Sequence, residues 1–339
     1  MDAGISMNIG VVGAGSWGTS LANVLAKKGN PVHLWAYENE LVEYMRQHRE
    51  NNQYLPGIDL HQNLSFTSNI REAVTHEVVV LVPPSQLMRS VLKQAAEYFN
   101  PEATIISASK GIENTTLELM SEVIDEALEG RHDRDKTAFL SGPTFAREIA
   151  LEIPSAAVMA AEREDVATMG RDLFSTDYFR IYSNDDIVGT EIGGALKNII
   201  ALAAGVCDGL QYGNNTRAAL ITRGLAEMKR VGIALGARAE TFAGLAGMGD
   251  LVLTCTGELS RNRTVGISLG EGRKLDDILA GMNMVAEGVE TTRSAYQLGK
   301  KLDIDVPIIN QMYAVLYEDK DPRSAVIELM RRSLKSEYI

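Results

Sequence analysis

The stretch Met7-Asn8-Ile9-Gly10-Val11-Val12-Gly13-Ala14-Gly15-Ser16-Trp17-Gly18 constrains this chain more than any other. A short apolar run ends in G-x-G-x-x-G and passes directly into helix-forming residues 19–28. That order specifies strand, tight turn and helix. Gly13 permits the turn, Gly15 lets a pyrophosphate come close to the backbone, and Gly18 lets the helix pack against the strand. The helix N-terminus then offers free N–H groups and the positive end of its dipole to phosphate. A second apolar run at 32–36 supplies the next strand. This context separates a dinucleotide site from an ordinary glycine turn.

The rest of the first half repeats the alternation. Strands are expected at 8–13, 32–36, 64–67, 78–82, 104–107 and 138–141, and helices at 16–28, 38–48, 70–74, 86–98 and 117–128. Such alternation implies a parallel sheet with helices on both faces. Two further strands, 156–161 and 179–182, flank a helix near 165–174 and should extend the same sheet. After Asn184 strand-like runs nearly vanish and long Ala- and Gly-rich helical stretches take over. The fold expected is therefore α/β: a Rossmann-type domain over residues 1–184 and an all-helical domain over 185–339. A chain of 339 residues has room for both cores.

Bulk properties narrow the function classes. No run of 18 or more apolar residues occurs, so no transmembrane helix is expected. Residues 1–6 lack the basic and apolar regions of a secretory signal and read as a loose tail. Cys207 and Cys255, the only cysteines, have no metal-ligand spacing, so two buried thiols in a cytoplasmic chain without a metal are expected. A net charge of −12 argues against nucleic acid and anionic membranes as partners. A phosphorylated small molecule would then need a local basic cluster to hold it.

Several residues stand where a ligand would meet such a fold. Glu38 lies 20 positions beyond Gly18, where an acid reads ribose hydroxyls; the alternative is that it simply begins the next helix. Tyr37 beside it offers a face for adenine. Lys110 follows a strand end, where it either reaches the nicotinamide or is a solvated loop lysine. Gly142 and Thr144 sit in another strand-end turn, and offer an N–H and a hydroxyl or merely punctuate the chain. On a helix, Ile192, Ala195, Leu196, Ile199 and Ala203 share one face, while Lys197 falls among Gly193, Gly194, Ala201 and Ala204. A lysine in a cavity left by small neighbours is desolvated and exchanges protons; the alternative is a snorkelling surface lysine. Asp250 ends a glycine-dense loop, and Ser260, Arg261 and Asn262, with Arg263, combine donors suited to phosphate or form a solvated polar turn.

Taken in order, Gly13-Ala14-Gly15-Ser16-Trp17-Gly18, Ser109-Lys110-Gly111, Ser141-Gly142-Pro143-Thr144-Phe145-Ala146, Ala195-Leu196-Lys197-Asn198, Gly247-Met248-Gly249-Asp250-Leu251, Ser260-Arg261-Asn262 and Val285-Ala286-Glu287-Gly288 resemble one family. It is the bacterial NAD(P)-dependent glycerol-3-phosphate dehydrogenases, and the likeness spans nearly the whole chain. The resemblance implies a helical domain similar to that of 6-phosphogluconate dehydrogenase. It implies NAD or NADP as cofactor and reversible interconversion of sn-glycerol 3-phosphate and dihydroxyacetone phosphate, run mainly as reduction for glycerophospholipid synthesis. By motif, Lys197 is the catalytic acid/base. Lys110, Gly142, Thr144, Lys197, Asp250, Ser260, Arg261 and Asn262 contact the substrate. Ser16, Trp17, Tyr37, Lys110, Ala146, Arg261, Val285 and Glu287 join Gly13, Gly15, Gly18 and Glu38 around the cofactor. A homodimer through the helical domain is expected.

The chemistry is consistent with those roles. Reducing a ketone needs a hydride and a proton, and a protonated lysine gives the proton and stabilises the developing alkoxide. Two competitors are a dehydrogenase of a hydroxy acid or phosphorylated sugar acid, and a nucleotide sensor without catalysis. A carboxylate substrate would make the Ser260-Arg261-Asn262 cluster surplus. A sensor would have no use for Lys197 and Asp250.

Overall fold

In the computed structural model, which describes residues 6–282, 284–334 and 336–337, the first half of the chain builds one sheet. The tail expected over residues 1–6 falls largely on residues 1–5, outside the described residues. The strands are β1 (Ile9–Val12), β2 (Val32–Trp35), β3 (Leu64–Thr67), β4 (Val78–Leu81), β5 (Thr104–Ser107), β6 (Thr137–Ser141), β7 (Ser155–Ala161) and β8 (Phe179–Asn184). They lie in the order β3-β2-β1-β4-β5-β6-β7-β8. The helices between them are α1 (Ser16–Lys27), α2 (Asn39–His48), α3 (Arg71–Val74), α4 (Met88–Ala95), α5 (Met120–Leu128), α6 (Ala146–Ala150) and α7 (Glu164–Phe174).

β1 and β4 read as continuous apolar runs because both of their faces are covered. Ile9, Val11 and Val80 point to the side where Leu21 and Leu25 of α1, Met45 of α2 and Phe174 of α7 pack. Val12, Val79 and Leu81 point to the other side, against Met88 and Leu92 of α4 and Ile124 of α5. Strand order reverses between β1 and β4, so a crevice opens beyond their carboxyl ends.

One strand departs from the parallel expectation. β7 runs antiparallel to β6, and β8 is then parallel to β7. The connection from β6 to β7 carries only α6, of five residues. Such a helix rises about 7.5 Å. A five-residue strand is roughly 17 Å long, so the chain cannot run back along it and instead turns round.

The second half is helical: α8 (Ile187–Gly209), α9 (Gly213–Ala234), α10 (Asp250–Thr256), α11 (Arg261–Gly270), α12 (Leu275–Ala280), α13 (Glu287–Lys301), α14 (Pro307–Tyr317) and α15 (Pro322–Met330). The single apolar face expected for residues 192–203 is corrected here. α8 is buried on every side from Gly189 to Cys207, because α9, α10, α11, α13 and α14 surround it. By length and composition α8 is also the one helix among the described residues apolar enough to cross a membrane. The corresponding window is 83% buried inside the protein, so it is a core helix here.

α8 and α11 touch backbone to backbone. A Cβ at Gly205 would lie 2.1 Å from the Arg263 carbonyl oxygen, and one at Gly266 would lie 2.1 Å from that of Leu202. Gly209 and Gly270 repeat the relation one turn further on. Each helix thus presents two glycines four residues apart to the other, a spacing that permits close helix approach. This contact packs α11 on the C-terminal part of α8, and Asn262 at the start of α11 reaches Asn198, next to Lys197.

Candidate active site

The phosphate turn divides its work among three glycines. Gly13 has φ 114°, in the region that favours glycine. A Cβ at Gly18 would sit 1.8 Å from the Gly13 carbonyl oxygen, so the start of α1 closes tightly on the turn. Gly15 has nothing within 4 Å of where its Cβ would be. The open space lies over the N-terminus of α1, which no side chain caps. The indole N–H of Trp17 is buried without a protein partner. These features fit the pyrophosphate of a dinucleotide. Asn51 braces the turn, donating to the Ala14 carbonyl and to Thr19 Oγ1, each at 2.8 Å.

Other cofactor candidates line the same edge. Tyr37, just past β2, is 81% exposed. Glu38 occupies the N-cap position of α2, yet its side chain caps nothing. Its Oε1 accepts instead from the Tyr54 hydroxyl at 2.9 Å. Ser16 Oγ meets Met284 Sδ at 3.5 Å, bringing the helical half onto the turn. Ala146 opens α6 and its carbonyl accepts from Ser20 of α1 at 2.9 Å. Glu287 Oε2 accepts from Ser85 Oγ at 2.8 Å. Burial pushes the Glu287 carboxyl up, opposed by Ser85 and Arg261. Val285 is exposed, and its carbonyl accepts from Arg261 at 2.9 Å.

At the centre two lysines share one carboxylate. Lys197 is 8% exposed and Asp250 1%. Lys197 Nζ donates to Asp250 Oδ1 at 2.5 Å and to Thr254 Oγ1 at 3.0 Å. Lys110 Nζ donates to Asp250 Oδ2 at 2.6 Å and to the Gly142 carbonyl at 3.2 Å. Neither lysine is the solvated residue of the alternative readings. Burial pulls the Lys197 ammonium down to about 8; Asp250 raises it and Lys110 lowers it further. A single π-helical turn, Leu245–Gly249, carries the glycine-dense loop into α10 and sets Asp250 at that helix's start. Gly194 leaves room for the Lys110 stem, which a Cβ there would meet at 3.3 Å. Ser107 and Ser141, at the ends of β5 and β6, carry buried hydroxyls without a protein partner. Gly142 takes part through its carbonyl rather than its N–H, and the Thr144 hydroxyl also donates to that oxygen, at 3.2 Å.

The Ser260-Arg261-Asn262-Arg263 run splits into different tasks. Ser260 caps α11, its Oγ accepting from the Arg263 N–H at 3.3 Å. Asn262 bridges helices: it donates to Asn198 Oδ1 at 3.0 Å and accepts from the Gly288 N–H at 2.9 Å. Arg263 turns away to Asp208, which also holds Arg217. Arg261 reaches the Val285 carbonyl, with the Glu287 carboxyl near its guanidinium. Its side chain is exposed overall, but protein crowding around the guanidinium lowers its pKa, with Glu287 opposing. Arginine stays charged regardless.

Sequence reading did not single out Thr254, Ser85, Asn51 or Tyr54. Thr254 had a signal, since it lies four residues after Asp250 on one helix and so shares its face. The other three act across long sequence separations that spacing does not show.

Comparison with known proteins places both halves of the chain in one family. The family model described as NAD-dependent glycerol-3-phosphate dehydrogenase N-terminus matches residues 8–167, and its C-terminus counterpart matches 186–327. The glycerol-3-phosphate dehydrogenase (NAD(P)+) of Syntrophotalea carbinolica is 60% identical over 333 residues, covering 98% of this chain and 99% of that protein. That of Geobacter sulfurreducens is 58% identical over 334 residues, with coverages of 98% and 99%. The crystal structure of glycerol-3-phosphate dehydrogenase from Coxiella burnetii has a TM-score of 0.91 at 38% identity, covering 96% of this chain and 99% of that one. D-mandelate dehydrogenase, solved with NADH, shares the fold alone, with a TM-score of 0.64 at 12% identity over 94% of this chain and all of that one.

Proposed function

The chain belongs to the NAD-dependent glycerol-3-phosphate dehydrogenase family, and we propose that Lys197 is the acid–base group through which it works. The protein is an NAD(P)-dependent oxidoreductase that interconverts glycerol 3-phosphate and dihydroxyacetone phosphate. One observation carries the assignment of Lys197: a buried lysine, brought down to about 8, is clamped on a buried carboxylate beside the crevice. A group with that proton affinity is matched to donate and accept near neutral pH.

The bound nicotinamide supplies or accepts the hydride. The chain's own residues do the rest. In reduction, Lys197 Nζ gives its proton to the carbonyl oxygen of dihydroxyacetone phosphate, and in oxidation it takes the proton back. Asp250 fixes the ammoniums of Lys197 and Lys110 by holding one on each oxygen. Lys110 then lies where its charge also favours the developing alkoxide. Arg261 grips the substrate phosphate, with Ser260 and Asn262 shaping the start of α11 around it, so binding energy away from the carbonyl positions it. Gly142 and Thr144 close the sheet side. Gly13, Gly15, Ser16, Trp17 and Gly18 hold the pyrophosphate, with Tyr37 and Glu38 at the adenosine end and Ala146, Val285 and Glu287 along the cleft.

The same reading takes residues 1–184 and 185–339 as two domains, supported by the end of β8 at Asn184 and the start of α8 at Ile187. It places the protein in the cytoplasm, running mainly towards glycerol 3-phosphate for glycerophospholipid synthesis; the free thiols of Cys207 and Cys255 suit a reducing compartment. It takes the assembly as a homodimer, for which exposed Ile327, Met330 and Leu334 offer apolar surface. The test follows absorbance of NADH and of NADPH with dihydroxyacetone phosphate, dihydroxyacetone and a 2-keto acid. Turnover should need the phosphate. Equal turnover of dihydroxyacetone would remove the role of Arg261, and a preference for the keto acid would remove the substrate assignment.

A further inference from the structure

The loop over residues 50–57, between α2 and β3, reaches the glycine turn through Asn51 and the end of β2 through Tyr54. Asn51 is fully buried and donates to the Ala14 carbonyl inside the glycine turn. Its Oδ1 accepts from the Tyr54 N–H at 3.0 Å, and its carbonyl accepts from the Leu55 N–H at 2.9 Å. The backbone of Tyr54 is therefore fixed relative to the phosphate turn. From that anchor the phenol reaches Glu38 at the end of β2. Burial, with the Glu38 hydrogen bond and charge adding to it, pushes the Tyr54 phenol up to about 12, so it remains a donor.

The state of Glu38 is the second observation. Glu38 stands at the N-cap of α2, and its carboxylate accepts from none of the first-turn N–H groups. One carboxylate oxygen takes Tyr54, and the other has no protein partner among the described residues. The side chain is half-buried, so without Tyr54 it could swing into water.

We propose that Tyr54 is a positioning residue that selects NAD over NADP by holding the Glu38 carboxylate against the adenosine ribose. The inference rests on the reading of Glu38 as the ribose-facing acid. The oxygen left open accepts from a ribose hydroxyl. A 2′-phosphate lacks that hydroxyl and brings like charge to a carboxylate that cannot rotate away. Releasing the carboxylate weakens both effects, so loss of the Tyr54 hydroxyl acts in the same direction as loss of the Glu38 charge.

The test compares wild type, Tyr54→Phe, Glu38→Gln and the double variant. It measures kcat/KM for NADH and NADPH with dihydroxyacetone phosphate, and cofactor Kd by fluorescence titration. Tyr54→Phe removes one oxygen and keeps the ring. It should lower the NADH-over-NADPH ratio about fivefold, the size expected for one hydrogen bond. The change should appear in KM and Kd with kcat retained. Glu38→Gln should shift the ratio at least as far, and the double variant no further than Glu38→Gln. If Glu38→Gln shifts the ratio and Tyr54→Phe does not, the positioning role is overturned while the ribose reading stands. A Tyr54→Phe shift that persists in full on the Glu38→Gln background also overturns it. If Glu38→Gln leaves the ratio unchanged, the ribose reading itself falls.

Discussion

Lys197 is held between opposing influences: burial and Lys110 favour the neutral amine, while Asp250 favours the ammonium. Its removal should therefore be felt in chemistry and not in cofactor binding. Lys197→Met is expected to lower kcat by about 10²- to 10⁴-fold, the range for a lost general acid, with NADH affinity by fluorescence kept. A folded variant with most of its kcat would end the assignment. The pH dependence follows in sign. Reduction needs the ammonium, so kcat/KM for dihydroxyacetone phosphate should fall as pH rises through about 8, and oxidation should rise over the same interval. Asp250→Asn removes the raising influence and should move both breaks to lower pH. Arg261→Lys keeps charge but loses the planar fork. A raised KM for dihydroxyacetone phosphate, with little change on dihydroxyacetone, is expected from steady-state kinetics. Each of these residues was visible in the sequence as a motif. Their union was not, because Lys197 and Asp250 are 53 positions apart and no local pattern joins them. The composition of the Ser260–Arg263 run suggested four phosphate ligands. In the fold Asn262 also ties α11 to α8 and α13, and Arg263 is paired with Asp208.

Among the elements, the α8–α11 contact sets the phosphate end of the site. Gly205→Ala places a Cβ 2.1 Å from the Arg263 carbonyl, a backbone atom that cannot yield without moving α11. We expect a loss of roughly 1–3 kcal/mol, as for other overpacked sites, read by urea unfolding. We also expect a rise in KM for dihydroxyacetone phosphate that exceeds any loss of NADH affinity, because Arg261 moves and the glycine turn does not. The glycine spacing is present in the sequence at 205 and 209 and at 266 and 270, but nothing local pairs the two runs. The strands were legible from apolar runs bounded by turns. The direction of β7 was not, since periodicity reports which face a residue occupies and not which way the chain runs. α8 misled in another manner. Its apolar positions matched a one-sided helix, while its small residues allow neighbours on every side.

Across the whole molecule, the sheet half and the helical half meet through Ile112 and Leu119, which join the helical half's apolar core, and through a set of polar contacts. Ser16 reaches Met284, Ser85 reaches Glu287, Asn114 reaches Glu290, and Lys110 reaches Asp250. Glu191 of α8 accepts from the Ser121 N–H at 3.0 Å and its hydroxyl at 2.6 Å, tying α8 to the first turn of α5. Burial pushes this carboxyl up to about 7, against an ordinary value of 4.5. A folded value above the unfolded one means that the native state holds the proton more tightly. Stability contributed by Glu191 is therefore full at acid pH and lost as pH rises from 4.5 through 7. Glu191→Gln should flatten that decline, as measured by urea unfolding at pH 5 and pH 8. An unchanged slope would show that the carboxyl keeps its ordinary proton affinity in the fold.

Lys110 belongs to the sheet half, whereas Lys197 and Asp250 belong to the helical half. Any opening of the cleft that draws Lys110 away from Asp250 removes one positive neighbour from Lys197, and the ammonium becomes a weaker acid. Closing restores the neighbour and with it the readiness to release a proton. The acid strength of Lys197 therefore depends on a contact made between the two halves, since the Lys110 that lowers it stands on the sheet side.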